Sequence, residues 1–439
     1  MMGKKCVDSA PLRVGLAGLG TVGGGVIRLL DANADLICRR AGRPIHITAV
    51  SARNRTRDRG VDLSAFAWED DPGALARRED VDVIVELMGG SDGPALTLAR
   101  ATLQGGKPLV TANKAMIAHH GLELAEAAEA RQLPLKFEAA VAGGVPVVKG
   151  IREGTAANRI RRIIGILNGT CNYILTRMEK EGLEFSQVLA DAQRLGYAEA
   201  DPTFDIDGID SAHKLAILAS LAFGSRLAFD GVETSGIRNV RLADIRQASA
   251  FGYKVRLVGL AEIADGKLTQ RVHPTLVPET HPLAAVEGPL NAIVVDGDFV
   301  DSLLFMGSGA GAGPTASAVV ADLIDIARGE DGPAFAMPAT ELESLASAGR
   351  EMREGNAYIR LTVADRPGVL AEITSVLATS GVSIERLIQP APTGDGTALV
   401  VLQTHRTSEQ AVHLALGKMM SLPITSDSAL FMPILRQHG

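Results

Sequence analysis

The chain has 439 residues, 46% of them apolar, which at roughly 150 residues per domain implies about three domains with ordinary cores. Its 44 basic and 51 acidic residues leave a net charge of −7, so it lacks the positive field that holds a nucleic-acid binder on phosphate, and no nucleic acid is expected as a partner. Three widely spaced cysteines, Cys6, Cys38 and Cys171, support neither a disulfide framework nor a CxxC metal knuckle, and no stretch reads as a signal peptide or membrane span, so a cytoplasmic protein without a membrane partner is expected.

Residues 12–146 alternate short apolar runs with helical patterns, the signature of parallel βαβ units in a Rossmann-like doubly wound α/β sheet. Strands are expected at 12–17, 45–51, 81–87, 108–111 and 135–140, and helices at 22–30, 94–104 and 115–131, the second helix closing on Gly105 and Gly106 as a left-handed cap. GLGTVG sets Gly18, Gly20 and Gly23 between a strand and a helix, where the turn, the approach of a pyrophosphate and helix-to-strand packing each exclude a side chain. Thr21 and Val22 then open a helix whose free N–H groups suit phosphates. The stretch 51–59, SARNRTRDR, carries four arginines where an NAD-selective site usually carries an acid. It reads either as a solvated basic loop or as an NADP(H) signature, with Arg53 on the 2′-phosphate and NAD(H) the less favoured cofactor. Lys114 and Asn113 follow the strand at 108–111, and with the turn Gly89, Gly90, Ser91 they occupy the carboxyl edge at which open α/β sheets bind ligands.

From 147 to 314 the pattern becomes α+β, with helices near 170–181, 187–196 and 209–223 and strands near 253–263, 268–277 and 291–296. Within GYAEADPTFDIDGIDSAHK, Asp210, His213 and Lys214 fall at i, i+3 and i+4 on one helix face. An isolated pair at this spacing is an ordinary exposed ion pair; the density of acids and the adjoining glycines argue for chemistry, while His213 alone reads as structural. FMGSGAGAG, 305–313, is either a flexible linker or a close backbone approach to a ligand, and the apolar helix at 315–328, assigned to the first domain, favours the approach. A linker at 329–356 leads to a β-α-β-β-α-β series at 357–364, 368–380, 382–389, 397–404, 409–420 and 427–434, a ferredoxin-like module over 357–439. Its first helix opens on Pro367 and Gly368, which bare N–H groups for a carboxylate or simply make a good helix start.

GLGTVG, TANKA, EAAVAGGVP, LNGTCNYIL, GYAEADPTFDIDGIDSAHK and GAGAGPTASAVV, in this order over 12–328, resemble NAD(P)-dependent homoserine dehydrogenase, and ADRPGVLAEITSVLATSGVSIERL is similar to an ACT domain. The resemblance is to the monofunctional, ACT-bearing form of that family. It implies reversible NAD(P)H-dependent reduction of L-aspartate 4-semialdehyde to L-homoserine, in threonine, methionine and isoleucine biosynthesis, by a catalytic and dimerisation domain at 147–314. By the same resemblance Lys214 is the proton donor, Lys114 a second lysine at cofactor and substrate, and Glu199 and Asp210 bind the substrate; Asp205 and Asp207, outside that carry-over, are read instead as groups that orient the lysines. It further implies that Gly196 and Gly311 approach the cofactor and that Glu138, Val141, Gly143 and Val145 hold a monovalent cation, usually sodium. Threonine is the implied effector, around Asp365, Gly368 and Gly381 between paired ACT modules, in a homodimer or homotetramer. A catalytically silent amino-acid sensor, or another Rossmann oxidoreductase, would not need Lys114, Glu199, Asp210 and Lys214 together.

Overall fold

The computed structural model describes residues 9–390, 396–427 and 429–436. Six parallel strands form the first sheet: β1 (Leu12–Ala17), β2 (Ile45–Ser51), β3 (Ala67–Glu69), β4 (Val83–Glu86), β5 (Leu109–Thr111) and β6 (Leu135–Lys136), in the order β3-β2-β1-β4-β5-β6. β1 and β4 are apolar almost throughout because helices cover both faces of the sheet. The helices that frame the ligand edge are α1 (Thr21–Ala32), α2 (Pro94–Gln104) and α3 (Lys114–Glu129). Strand order reverses between β1 and β4, which opens a crevice at their carboxyl ends. The strand expected at 135–140 stops at Lys136: Glu138–Ala140 is a 3₁₀ turn, since the chain must leave the sheet there to enter the second unit. Of the two capping glycines, Gly106 alone is left-handed (φ 76°).

The second unit is an antiparallel sheet in the order β11-β10-β7-β8-β9, made of β7 (Ile160–Ile166), β8 (Tyr253–Ala264), β9 (Lys267–Pro278), β10 (Leu290–Gly297) and β11 (Ser302–Ser308). The sequence pattern hides β7, because Arg161 and Arg162 interrupt its apolar run; Arg162 is buried and bonds Asp296 across to β10 at 3.0 Å. Around the sheet lie α4 (Gly169–Glu181), α5 (Phe185–Arg194), α6 (Ile209–Phe223) and α7 (Leu242–Ala250). The FMGSGAGAG stretch is not a loose linker: Phe305 to Ser308 belong to β11, and a Cβ on Gly309 would fall 1.2 Å from Asn291 Oδ1. It runs into α8 (Ala312–Arg328), which begins three residues before the expected start and returns to pack on α1, where a Cβ on Gly25 would sit 2.5 Å from the Ala312 carbonyl oxygen. The chain crosses to the second unit before β7 and back after β11, and these two crossings touch: Gly144 N–H donates to the Ser308 carbonyl at 3.1 Å, and a Cβ on Gly143 would meet the Gly309 carbonyl oxygen at 2.6 Å; a third crossing follows α8.

Residues 329–356 are bound along the body. Phe335 is buried against Phe137, with ring centroids 5.2 Å apart, and Ala346–Ser347 adds a parallel pair to β9. The C-terminal unit is an antiparallel sheet, β13-β14-β12-β15, of β12 (Ala357–Ala364), β13 (Ile384–Ile388), β14 (Thr397–Thr404) and β15 (Leu430–Pro433). Its core is shared with α9 (Val369–Thr379) and α10 (Glu409–Met420). Ile373 and Leu377 carry the buried stripe of α9. Cys171 is a free, buried thiol, but Cys38 is disulfide-bonded, which corrects the reading that the cysteines make no bridge; wide spacing along a chain does not limit proximity in space. Among the described residues no helix is long and apolar enough to cross a membrane.

Candidate active site

The glycine turn after β1 shows three different demands. Gly18 is left-handed (φ 99°) and a Cβ there would lie 2.6 Å from the Leu87 carbonyl, while one on Gly23 would lie 2.2 Å from the Gly18 carbonyl oxygen. A Cβ on Gly20 would meet nothing within 4 Å, so this glycine faces open space at the N-terminus of α1, the cradle a pyrophosphate needs. Thr21 is exposed beside it, and Val22 lines the cleft. In the basic loop Arg53 is exposed, whereas Arg59 is fixed: it donates to the carbonyls of Leu19 at 3.1 Å, Arg57 at 2.7 Å and Asn54, and lies 5.7 Å from the Trp68 ring centroid. Arg59 therefore buttresses the glycine turn, a role that four arginines in one loop do not reveal by sequence. Ser91 Oγ donates to Asp92 at 2.6 Å rather than into the cleft. The turn after β4 is instead held by buried Glu86, which accepts from Met88 N–H (2.6 Å) and Thr111 Oγ1 (2.7 Å), and by Asn113, whose amide donates to the Gly90 carbonyl at 2.7 Å and whose oxygen caps α3.

A cleft of about 670 Å³ runs from this turn to the start of α6, and it brings Lys114, Asp210 and Lys214 together. Lys114 opens α3 on the first unit; Lys214 projects from the second turn of α6. Asp210 is buried between them. Its Oδ1 lies 2.7 Å from Lys114 Nζ, and its Oδ2 accepts from Lys214 Nζ at 2.7 Å and from Asn168 Nδ2 at 2.8 Å. Lys214 Nζ also donates to the Leu167 carbonyl at 2.7 Å. The two ammonium groups are driven apart in character. Burial pulls the pKa of Lys214 down, with Asp210 only partly restoring it, whereas at Lys114 desolvation is outweighed by Asp210 together with Asp205 and Glu199, and the pKa rises. Burial disfavours the Asp210 carboxylate too, but the two lysines overcome this and hold it ionised well below the usual carboxylate range.

Of the other residues singled out by sequence, Gly143, Gly196 and Gly311 line the same cleft. Glu199 stands exposed at the rim; its charge helps hold the Lys114 proton, yet it does not form the wall. Asp205 is in the wall, bonded by Asn168 at 2.8 Å, and burial beside Asp210 raises its pKa. Asn168 is the residue the sequence reading missed. It caps α4 through the Cys171 N–H at 2.8 Å and joins both carboxylates, and its cue was the Asn-Gly pair inside LNGTCNYIL. His213 turns away and stacks on Phe229 with centroids 4.3 Å apart; burial and His119 lower its pKa to about 4.

At the first crossing the Glu138 carboxylate accepts from the N–H groups of Val148 (3.1 Å) and Lys149 (2.8 Å). Burial, then the charge of Asp322, push its pKa up to about 7. Val141 and Val145 are buried beside it and Gly143 is left-handed (φ 52°). In the ACT unit, Asp365 and Gly368 line one cavity at the N-terminus of α9, but Gly381 lies past its other end, about 16 Å away at 1.5 Å per residue. One chain does not bring the three together.

The family model described as homoserine dehydrogenase matches residues 146–324, the one described as the homoserine dehydrogenase NAD binding domain matches 18–138, and the ACT domain matches 357–422. A homoserine dehydrogenase of Pseudomonas aeruginosa is 44% identical over 419 residues, covering 94% of this chain and 96% of that protein. A crystal structure of a homoserine dehydrogenase from Thiobacillus denitrificans is 42% identical, with a TM-score of 0.91 over 97% of this chain and 98% of that one. A hyperthermophilic archaeal homoserine dehydrogenase in complex with NADPH is 26% identical, with a TM-score of 0.61 over 72% of this chain and 97% of its own. A nicotinamide-binding sheet, a cleft with two lysines on one carboxylate and these likenesses lead to one conclusion: the chain belongs to the homoserine dehydrogenase family, NAD(P)-dependent oxidoreductases, and carries an ACT domain.

Proposed function

We propose that the cleft reduces L-aspartate 4-semialdehyde to L-homoserine reversibly, with Lys214 passing the proton to and from the substrate oxygen. The observation that supports this reading is the single buried carboxylate of Asp210 shared by Lys114 and Lys214. The nicotinamide cofactor, when bound, supplies or takes the hydride. Charge gathering on the carbonyl oxygen during reduction needs a fixed cation and a proton. Lys114, with its raised pKa, stays charged and serves as the cation, and Lys214, with its lowered pKa, exchanges the proton. The substrate's ammonium group is taken up by Glu199 at the rim and by Asp210, which frees an oxygen most readily by releasing Lys114, the more exposed of its two lysine partners (33% against 10%). The assay is the change in nicotinamide absorbance with L-homoserine and NAD or NADP. Turnover with homoserine is expected; none with either cofactor would end the proposal.

Gly20 leaves room for the pyrophosphate, and the basic loop beyond β2 supports NADP over NAD. Substituting Arg53→Ala should raise the KM for NADP several-fold more than that for NAD, measured side by side; equal effects would make the arginine incidental to cofactor choice. The donor set at Glu138, Val141, Gly143 and Val145 is oxygen-only and suits a hard cation such as sodium. Because the folded pKa of Glu138, about 7, lies above its unfolded value near 4.5, this carboxyl costs stability as pH rises from 4.5 to 7, and a cation would offset that cost. Sodium at constant ionic strength should therefore raise Tm more at pH 8 than at pH 5, and Glu138→Gln should abolish the difference; the same response to choline would argue against a site.

We also assign 1–146 with α8 to cofactor binding, 147–314 to catalysis and dimerisation, 329–356 to a linker and 357–439 to regulation. Threonine is the proposed effector at Asp365 and Gly368, with Gly381 supplied by a second ACT module, which agrees with a homodimer or homotetramer working in the cytoplasm.

A further inference from the structure

The ACT unit contacts the second unit at β9, where Leu435 N–H donates to the Leu276 carbonyl at 2.8 Å, and at the segment 236–244, which leads from the ACT sheet to the cleft. From β12, Arg360 and Tyr358 reach into the second unit and both hold Asp244 of α7: Arg360 Nε and Tyr358 Oη each donate to Asp244 Oδ1 at 2.8 Å. All three side chains are buried. Arg360 also donates to the Asn239 carbonyl at 3.0 Å, and the other Asp244 oxygen accepts from Arg241 N–H at 2.8 Å, so residues 239–244 are pinned to the ACT sheet.

The same segment is pinned at its other end to the turn that precedes α6. Ile237 N–H donates to the Ile206 carbonyl at 2.8 Å, and Arg238 makes paired bonds to Asp207 at 3.1 and 3.0 Å. A Cβ on Gly236 would lie 2.0 Å from the Ile206 oxygen, so the two backbones are in van der Waals contact and neither shifts without the other. One residue before this turn is Asp205; two residues after it, past left-handed Gly208 (φ 87°), α6 begins and carries Asp210. Contact is continuous from β12 to both carboxylates of the cleft.

We propose that Arg360, Asp244 and Arg238 are positioning residues for the reaction: through 236–244 the ACT sheet sets the 205–208 turn, and with it the affinity for the substrate's ammonium group. This rests on the reading of Asp210 as a substrate-binding carboxylate. Anything that moves β12 against α7 then alters substrate affinity, and substrate alters that contact in return.

Arg238 is half-exposed, so Arg238→Ala leaves the fold intact and tests the strut in the full-length enzyme. The KM for homoserine should rise about 2- to 30-fold, while kcat and the cofactor KM stay near wild type; mere destabilisation would lower kcat and leave KM alone. Asp207 bonds Arg238 and forms no ion pair with Lys114 or Lys214, which corrects the expectation that it orients the lysines; Asp207→Asn should therefore have the same effect, and the double variant no more than either single one. Arg360→Lys, which keeps the charge and loses the fork, should raise the homoserine KM as well. An unchanged homoserine KM in Arg238→Ala, or additive effects in the double variant, would overturn the proposal. The catalytic reading fails on a different result, full activity in Lys214→Ala, so the two are judged separately.

Discussion

Replacing Lys214 by alanine should lower kcat for homoserine oxidation roughly 10²- to 10⁴-fold, the range removed with a general acid–base group, while the KM for the cofactor stays within a few-fold. Lys214 is buried and bonded to the Leu167 carbonyl and to Asp210, and it makes no contact with the glycine turn that would carry the cofactor. Desolvation lowers its pKa from 10.5, so it sheds its proton more readily than an exposed lysine. Oxidation of homoserine needs the neutral amine, so its rate should climb with pH through that lowered value; reduction of the semialdehyde needs the ammonium and should fall across the same range. Lys214→Arg separates charge from proton transfer, because a guanidinium holds its proton at any working pH. Initial rates for both directions as a function of pH test this, and wild-type turnover in Lys214→Ala would remove the assignment.

Changing Asp210 to asparagine should cost about 3 kcal/mol of stability at pH 7, the lower end for a buried ion pair that loses one partner, because two ammonium groups lose their shared counter-charge. The lower end applies because Lys114 is one-third exposed. The pH dependence carries the sign. The folded pKa of Asp210 lies below its unfolded value near 3.8, so its contribution is present above 3.8 and fades as pH falls toward the folded value. Urea midpoints of wild type and variant should therefore differ widely at pH 7 and converge in strong acid. A difference that stays the same at both pH values would mean that the carboxylate charge is not what holds the lysines.

What could be read from sequence was what repeats locally. Alternating strands and helices, and glycines at fixed offsets in GLGTVG, are dictated by neighbours a few residues away, and β1, β2, α2, β12, β14 and α10 have the expected bounds. The six ordered motifs pointed to the family and to both lysines. What was hidden depends on partners far along the chain. Arg162 makes β7 look polar until Asp296 is found beside it; Arg59 is set apart from Arg53 over long range by the Leu19 carbonyl; and Asn168 matters because Asp205 and Asp210 converge on its amide. Gly309 is required by Asn291, eighteen positions earlier, which no spacing rule within FMGSGAGAG could suggest.

Because the first two chain crossings touch at Gly143 and Gly309, they act as one tether between the nucleotide unit and the catalytic unit, and the third, along 329–356, is a separate strap packed on Phe137 and β9. Any swing between the units, as of two leaves on a post, bends at that line and must also flex the strap. Lys114 rides one leaf, while Asp210 and Lys214 ride the other on a common helix. Parting the leaves would separate Lys114 from Asp210 and leave the Asp210–Lys214 pair whole, so the ionic contact that yields most readily to a substrate's ammonium group is also the one that spans the two units.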